Sequence, residues 1–338
     1  MKEDHALIRL TNVSKAFQTA AGPTWVLKDV SVQIAAGEFV TIIGRSGSGK
    51  STLLNMITGI DRPTRGEVCV DGVSLNRLSE GQFSVWRGRS LGIVFQFFQL
   101  LPTLTLLENL LLPMDFAGCI APAQREARAR KLLERVGLEA LADQLPTQLS
   151  GGQQQSAAVA RALANDPPLI VADEPTGNLD SRAAEAVFAL FLELVQEGKT
   201  VLMVTHDAAM AQRAPRTLVL CDGELINEWL ARALPDVAHP ELLRLTHALR
   251  PWSGGAVEPG LWLVQAGALE VLDRRGTLTR SLTAGQWAVL SPSLHVRAGA
   301  ELRAWCLPQG ELSALLAGTP ELAARLMSTE PARKRWPW

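Results

Sequence analysis

Two hydrophobic periods alternate along the first two thirds of the chain. Short continuous apolar runs, EFVTIIG (Glu38–Gly44), PPLIVADEP (Pro167–Pro175) and TVLMVTHD (Thr200–Asp207), read as buried strands. Helical patterns are interleaved with them: KSTLLNMITG (Lys50–Gly59) and the charged amphipathic stretch APAQREARARKLLERVG (Ala121–Gly137). Buried strands separated by helices predict an α/β domain with a largely parallel sheet. The pattern changes near residue 230. Short runs follow, GLWLVQAGALEVL, TLTRSL, GQWAVL, LHVRA and ELRAWCLP, divided by turn residues such as Asp273–Gly276, before a helical end, GELSALLAGTPELAARLMS. This spacing predicts a small, mainly-β roll or barrel with flanking helices. The expected organisation is an α/β domain at 1–230, a linker at 231–238 in the stretch LPDVAHP, a β domain at 239–328 and a tail at 329–338.

Composition supports the break. Seven of the nine tryptophans lie at Trp229 or later, and the chain of 338 residues suits two domains. A formal net charge of −1 gives no electrostatic argument for nucleic acid, which is not expected as a partner. The start, MKEDHALIRL, is charged and lacks a secretory apolar segment. The most apolar region, FFQLLPTLTLLENLLLPM (Phe97–Met114), is broken by Gln99, Pro102, Thr103, Thr105, Glu108 and Pro113, so no membrane span is expected. Four cysteines without a CxxC pair fit reduced thiols better than disulfides or zinc. A cytoplasmic location is expected.

The stretch GRSGSGKST (Gly44–Thr52) satisfies G-x-x-x-x-G-K-[ST] between a predicted strand and a predicted helix, the context that gives the motif its meaning. Gly44, Gly47 and Gly49 let backbone N–H groups close around phosphate oxygens, and Arg45, Ser46, Ser48 and Thr52 complete the loop. Lys50 is expected on the β- and γ-phosphates and Ser51 on Mg²⁺. Asp173 and Glu174 end a buried strand, where ligands of open α/β sheets bind. Asp173 is expected on Mg²⁺. Glu174, facing the other way, is the candidate general base. His206 ends its strand similarly and is placed to order Glu174 and a water beside the γ-phosphate. A second Gly-rich turn, LSGGQQQS (Leu149–Ser156), opens the helical run AAVARALAN, and a helix start favours anions. One chain thus carries two candidate phosphate cradles.

In this order the motifs resemble the ATP-binding subunit of ABC transporters, over about residues 7–228. The resemblance takes in the Walker A loop, Gln96 in GIVFQFFQ, the signature LSGGQ, the Walker B LIVADEP, GNLD ending at Asp180, and His206. It implies a P-loop ABC ATPase domain with a helical subdomain, a Mg-dependent ATPase with ATP as substrate. It implies a head-to-tail homodimer in which Ser150, Gly151, Gly152 and Gln153 seal ATP held by the partner's loop. It adds Gln96 to the Mg²⁺ residues, Asp180 to the nucleotide residues, and Phe17 as an adenine-stacking ring in place of the commoner Tyr; the alternative for Phe17 is a core position. Ser156 departs from the family, which has Arg there, while Arg161 is retained. ENLLLPM and DEPTGNLD look like the lipoprotein-release, macrolide-export and cell-division branch. An integral membrane permease is then the implied partner, with FFQLLPTLTLLENLLLP as docking surface or ordinary core, and the implied location is the inner face of the membrane. The alternative is a soluble ABC ATPase or an ATP-binding regulator. The long coiled coil of the DNA-repair type and the second ATPase domain of the ribosomal type are absent from the sequence.

The C-terminal part resembles a cyclic-nucleotide-binding β-roll, with WLVQAGALEVLDRRG as its central hairpin; a cupin-like jelly roll is the rival. The Gly-Glu pair that holds ribose in such rolls is missing, and Pro292 stands about where their phosphate-binding Arg belongs. No cyclic nucleotide is therefore expected. The final ARKRWPW could touch anionic lipid or remain a solvated tail.

Overall fold

The computed structural model describes residues 6–20, 22–273, 275–292, 294–299 and 301–327. The chain divides into two compact units, one ending at Leu225 and one beginning at Ile226.

The first unit opens with two long antiparallel strands, β1 (Ala6–Thr19) and β2 (Gly22–Ala35). β3 (Phe39–Ile43) enters a second sheet and leads into α1 (Lys50–Thr58). β4 (Arg65–Val70) and β5 (Val73–Ser74) return to the first sheet, whose order is β2-β1-β4-β5. α2 (Glu80–Ser90) precedes β6 (Leu91–Val94). A helical subdomain follows: α3 (Leu106–Ala117), α4 (Pro122–Arg135) and α5 (Gly151–Ala162). Then come β7 (Leu169–Asp173), α6 (Ser181–Gln196), β8 (Thr200–Val204), α7 (Ala208–Arg213), β9 (Arg216–Cys221) and β10 (Glu224–Leu225).

The second sheet has the order β10-β9-β3-β8-β7-β6, and its five longer strands run parallel, as the buried runs predict. One face shares a core with the first sheet and α1, including Ile8, Val30, Ile42, Leu53 and Val171. On the other face Phe188 and Phe191 of α6 pack with Phe39, Ile170 and Val201. The three helices of the subdomain close around Leu106, Leu110, Met114, Leu133 and Ala160. Thr105 and Glu108, which interrupt the apolar run, form the capping box that starts α3. The antiparallel sheet was not expected. Four register shifts between β1 and β2, with Asn12 and Asp29 at φ +50° and +55°, break the alternation that marks a half-buried strand.

The second unit begins with α8 (Glu228–Ala233), capped by the Asn227 side chain, and α9 (His239–Ala248). The stretch 231–238, expected as a linker, holds the end of α8 and the buried Leu234 and Val237. Seven strands follow: β11 (Arg250–Pro251), β12 (Gly260–Ala266), β13 (Ala268–Leu272), β14 (Leu278–Thr283), β15 (Trp287–Leu290), β16 (His295–Ala298) and β17 (Arg303–Pro308). Helices α10 (Gln309–Ala317) and α11 (Pro320–Met327) complete it.

These strands form two sheets, β11-β17-β12-β15 and β14-β13-β16. β12 and β13 do not make the expected hairpin. Gly267, at φ +74° with Glu301 O 2.7 Å from any added Cβ, carries the chain from one sheet to the other. The hairpin is instead β13–β14, across Asp273–Gly276. Trp262, Val264, Leu269, Val271 and Leu282 fill the core between the sheets. α8 and α10 pack on β12, and α11 on β15. The expected tail, 329–338 with ARKRWPW, lies outside the described residues.

Candidate functional site

Gly44 to Gly49 connect β3 to α1 as a tight loop. Gly47 and Gly49 take φ +79° and +102°, a region other residues rarely enter. A Cβ on Gly44 would lie 2.2 Å from Leu220 O, and one on Gly49 2.8 Å from Val26 O. The Lys50 side chain is buried and folds back on the loop, its Nζ donating to Gly44 O and Arg45 O, each at 3.0 Å. The Ser48 hydroxyl is buried with no hydrogen-bond partner. A buried cation served by carbonyls and a buried hydroxyl with nothing to bind fit a polyphosphate. Arg45 and Ser46 are exposed on the loop, and Ser51 and Thr52 lie in the first turn of α1.

Asp173 closes β7. Burial pushes its carboxyl above the usual range, and neighbouring Glu174 adds to this; the Ser51 hydroxyl, donating to it, and Lys50 pull it back. A carboxylate short of positive charge beside a serine hydroxyl suits Mg²⁺. Glu174 follows at φ +47°, its N–H donating to Val204 O at 3.0 Å. Its Oε2 lies 2.8 Å from Nδ1 of His206, just beyond β8. Gln96, past the end of β6, reaches the same place: a Cβ on Gly177 would be 3.5 Å from both Gln96 Nε2 and Glu174 Oε2. Asn178 Nδ2 donates to Gln96 O at 3.2 Å. The structure thus gathers Gln96, Glu174 and His206, which lie far apart in sequence.

Phe17 is 41% exposed on β1, with the Lys15 ammonium 5.0 Å from its ring centroid, so it is not a core residue. Ser150 is the N-cap of α5. Its Oγ accepts from Gln153 N at 3.3 Å, and its own N–H donates to Gln153 Oε1 at 2.9 Å. A Cβ on Gly152 would meet Ala183 Cβ at 2.8 Å, so the start of α5 sits against the start of α6. Asp180 caps α6 by accepting from Ala183 N at 2.9 Å. Gln153 and Asp180 therefore have local capping roles beside those the resemblance implies.

Two further side chains of α5 reach the site. Arg161 donates to Phe98 O at 3.0 Å and also to Gln99 O, holding residues at φ +54° and +51° just after Gln96. Gln155, 0% exposed, donates from Nε2 to Pro175 O at 2.7 Å. Sequence reading passed over Gln155. The available signal was a polar residue three and four places before the apolar Ala158 and Val159, on their helix face. Ser156 is half-buried beside it. The apolar stretch after Gln96 divides: Leu106, Leu107, Leu110 and Met114 are core, whereas Phe97 is 72% and Leu101 43% exposed. Phe95, Leu101, Leu112, Phe116 and Arg161 are among the residues lining a groove of about 310 Å³.

A phosphate loop on β3–α1, with an acidic pair and a histidine at the ends of β7 and β8, defines a P-loop ATPase. The family model described as ABC transporter matches residues 27–177. The chain is 45% identical over 220 residues to the ABC transporter ATP-binding protein YvrO of Bacillus subtilis, covering 65% of this chain and 96% of that protein. It is 46% identical over 234 residues to the ABC transporter ATP-binding protein MJ0796 of Methanocaldococcus jannaschii, covering 68% and 100%. The dimeric post-hydrolysis structure of MJ0796 bound to ADP and Pi matches with a TM-score of 0.61 over 65% of this chain and 97% of that one. The chain belongs to the ABC transporter ATP-binding proteins. It is an ATPase, using ATP with Mg²⁺.

Proposed function

We propose that this protein powers a separate integral membrane permease through ATP-driven closure of a head-to-tail homodimer. The observation that carries the transport reading is the groove beside Gln96, which Phe116, 83% exposed, borders. The exposed Phe116 and Leu101 around a concave apolar surface suit an inserted helix of a partner. Arg161 lies in the same groove and holds the turn next to Gln96, so a partner seated there touches the nucleotide site through one residue.

In this reading Gly44–Thr52 hold the triphosphate, with Lys50 as cation, and Phe17 stacks on adenine. Ser51, Gln96 and Asp173 hold Mg²⁺, which when bound offsets charge on the phosphate oxygens. Glu174 takes a proton from water, and His206 orients it. Ser150, Gly151, Gly152 and Gln153 of one protomer close on the nucleotide of the other, with Asp180 nearby. The dimeric MJ0796 structures support the homodimer. The export-like branch and a place on the inner membrane face go with the permease; no helix among the described residues is long and apolar enough to cross a membrane. The paired Glu174 and His206 speak against a regulator that binds ATP without turnover.

The second unit, still read as roll-like, is proposed to be a docking or restraint module that binds no cyclic nucleotide. The permease reading is tested with Phe116→Asp. ATPase activity of the purified variant should match the parent, while co-purification of an integral membrane protein from native membranes is lost. Equal recovery with parent and variant would remove the groove as the docking surface.

A further inference from the structure

Gln155 is a fully buried amide with half of its polar capacity unmet. Its Nε2 donates to Pro175 O at 2.7 Å, while Oε1 is buried without a partner. An orphaned buried oxygen is costly, and a Met or Leu would fill the same space without it. Packing alone therefore does not account for the residue.

The bond holds the peptide beside Glu174. That glutamate lies at φ +47°, where a residue with a Cβ stays only if its surroundings fix it. On one side its N–H is tied to Val204 O at 3.0 Å, and on the other the Pro175 carbonyl is tied to Gln155. Together the two anchors set the direction in which the carboxylate leaves the backbone and meets His206 Nδ1 at 2.8 Å.

We propose that Gln155 is a positioning residue for ATP hydrolysis, holding from helix α5 the Pro175 carbonyl that follows Glu174; this rests on the reading of Glu174 as the base. Ser150 caps the helix that carries Gln155, so the second phosphate cradle and the base are joined by one rigid turn and a half of helix.

The test uses the full chain with Gln155→Met, and with Gln155→Leu should the first not fold. Losing the amide also removes the orphaned oxygen, so melting temperature and the MgATP dissociation constant should stay close to the parent. KM should hold within about twofold while kcat falls at least about tenfold, as for a misplaced catalytic group. A role in stability alone would not split kcat from KM in this way. In single-turnover measurements on Glu174→Gln, adding Gln155→Met should reduce the residual rate no further, because the positioned group is gone. An unchanged kcat in the folded variant, or full additivity in the double variant, overturns the proposal for Gln155 alone. Near-parent turnover of Glu174→Gln by itself would overturn the base assignment, and this inference with it.

Discussion

Glu174 and His206 meet across the ends of two adjacent parallel strands, with Oε2 2.8 Å from Nδ1. The contact occupies one carboxylate oxygen and leaves the other for a water. It is made by residues 32 positions apart that only the β7–β8 pairing brings together. Glu174→Gln keeps the size and one acceptor but cannot take a proton. Its turnover should fall by about 100-fold or more, the ordinary contribution of a general base. Nucleotide binding should remain, and an ATP-bound dimer should accumulate on size-exclusion with MgATP. Loss of ATP binding in this variant would mean that the carboxylate serves binding rather than proton transfer.

Ser150 and Lys50 belong to different cradles in the proposed dimer. A Lys50→Ala chain lacks the cation of its own loop, and a Ser150→Arg chain blocks the cradle it offers to its partner. Each alone should hydrolyse no ATP. Mixed as a verified heterodimer, they leave one complete site per dimer, and phosphate release should recover to a measurable fraction of the parent. A heterodimer as inactive as either homodimer would contradict closure in trans with independently working sites.

Asp173 is a carboxylate whose burial favours its protonated form. A carboxyl with a raised folded pKa binds its proton more tightly in the folded state. Stability of the nucleotide-free protein is therefore lost as pH rises from the ordinary value of 3.8 through the raised one, and stays lower at neutral pH. Asp173→Asn removes that charge. The nucleotide-free variant should melt about 2–4 °C higher at pH 7 for each kcal/mol recovered, while Mg-dependent turnover disappears. A lower melting point would show that the charge is already compensated without the metal.

The parallel sheet and its ligand-bearing ends were legible because each buried strand is a continuous apolar run with a polar residue at its carboxyl end. Asp173 and His206 announce themselves in this way, and Gly44 and Lys50 through the spacing of the glycine-rich loop between strand and helix. The antiparallel sheet was hidden, since bulges near Leu10–Val13 shift the phase of β1. The links that organise the site were hidden for another reason. Gln155 to Pro175 and Arg161 to Phe98 are side-chain bonds to backbone carbonyls, and a carbonyl has no residue type to read. In the second unit, turn residues marked most strands. The change of sheet at Gly267 was not marked, because a continuous apolar run (Leu261–Val264) and an alternating one (Ala268–Leu272) joined by a single Gly read equally well as the two arms of a hairpin.

Whether the second unit binds a cyclic nucleotide depends on what can neutralise a buried phosphate. Such a site needs a cation or several aimed N–H groups, since an unpaired buried charge is costly. Pro292, about where the expected resemblance to cyclic-nucleotide-binding rolls would put an Arg, has neither charge nor N–H. Only residues 291–294 separate β15 from β16, too few for a helix whose start might serve instead. Arg297 is the nearby cation, but its side chain is 69% exposed and bonded to Glu270, next to it on the outer face. The opposite face carries Leu269 and Val271 into a core with Trp262, whose Nε1 is spent on Glu258 O at 2.8 Å. Among the described residues that core is apolar and holds no buried cation to meet a phosphate. Calorimetry of the full chain with cyclic AMP and cyclic GMP, with its ATP sites saturated, should therefore record no saturable heat. Micromolar binding of either, abolished by Arg297→Ala, would instead make this unit a nucleotide sensor attached to the ATPase.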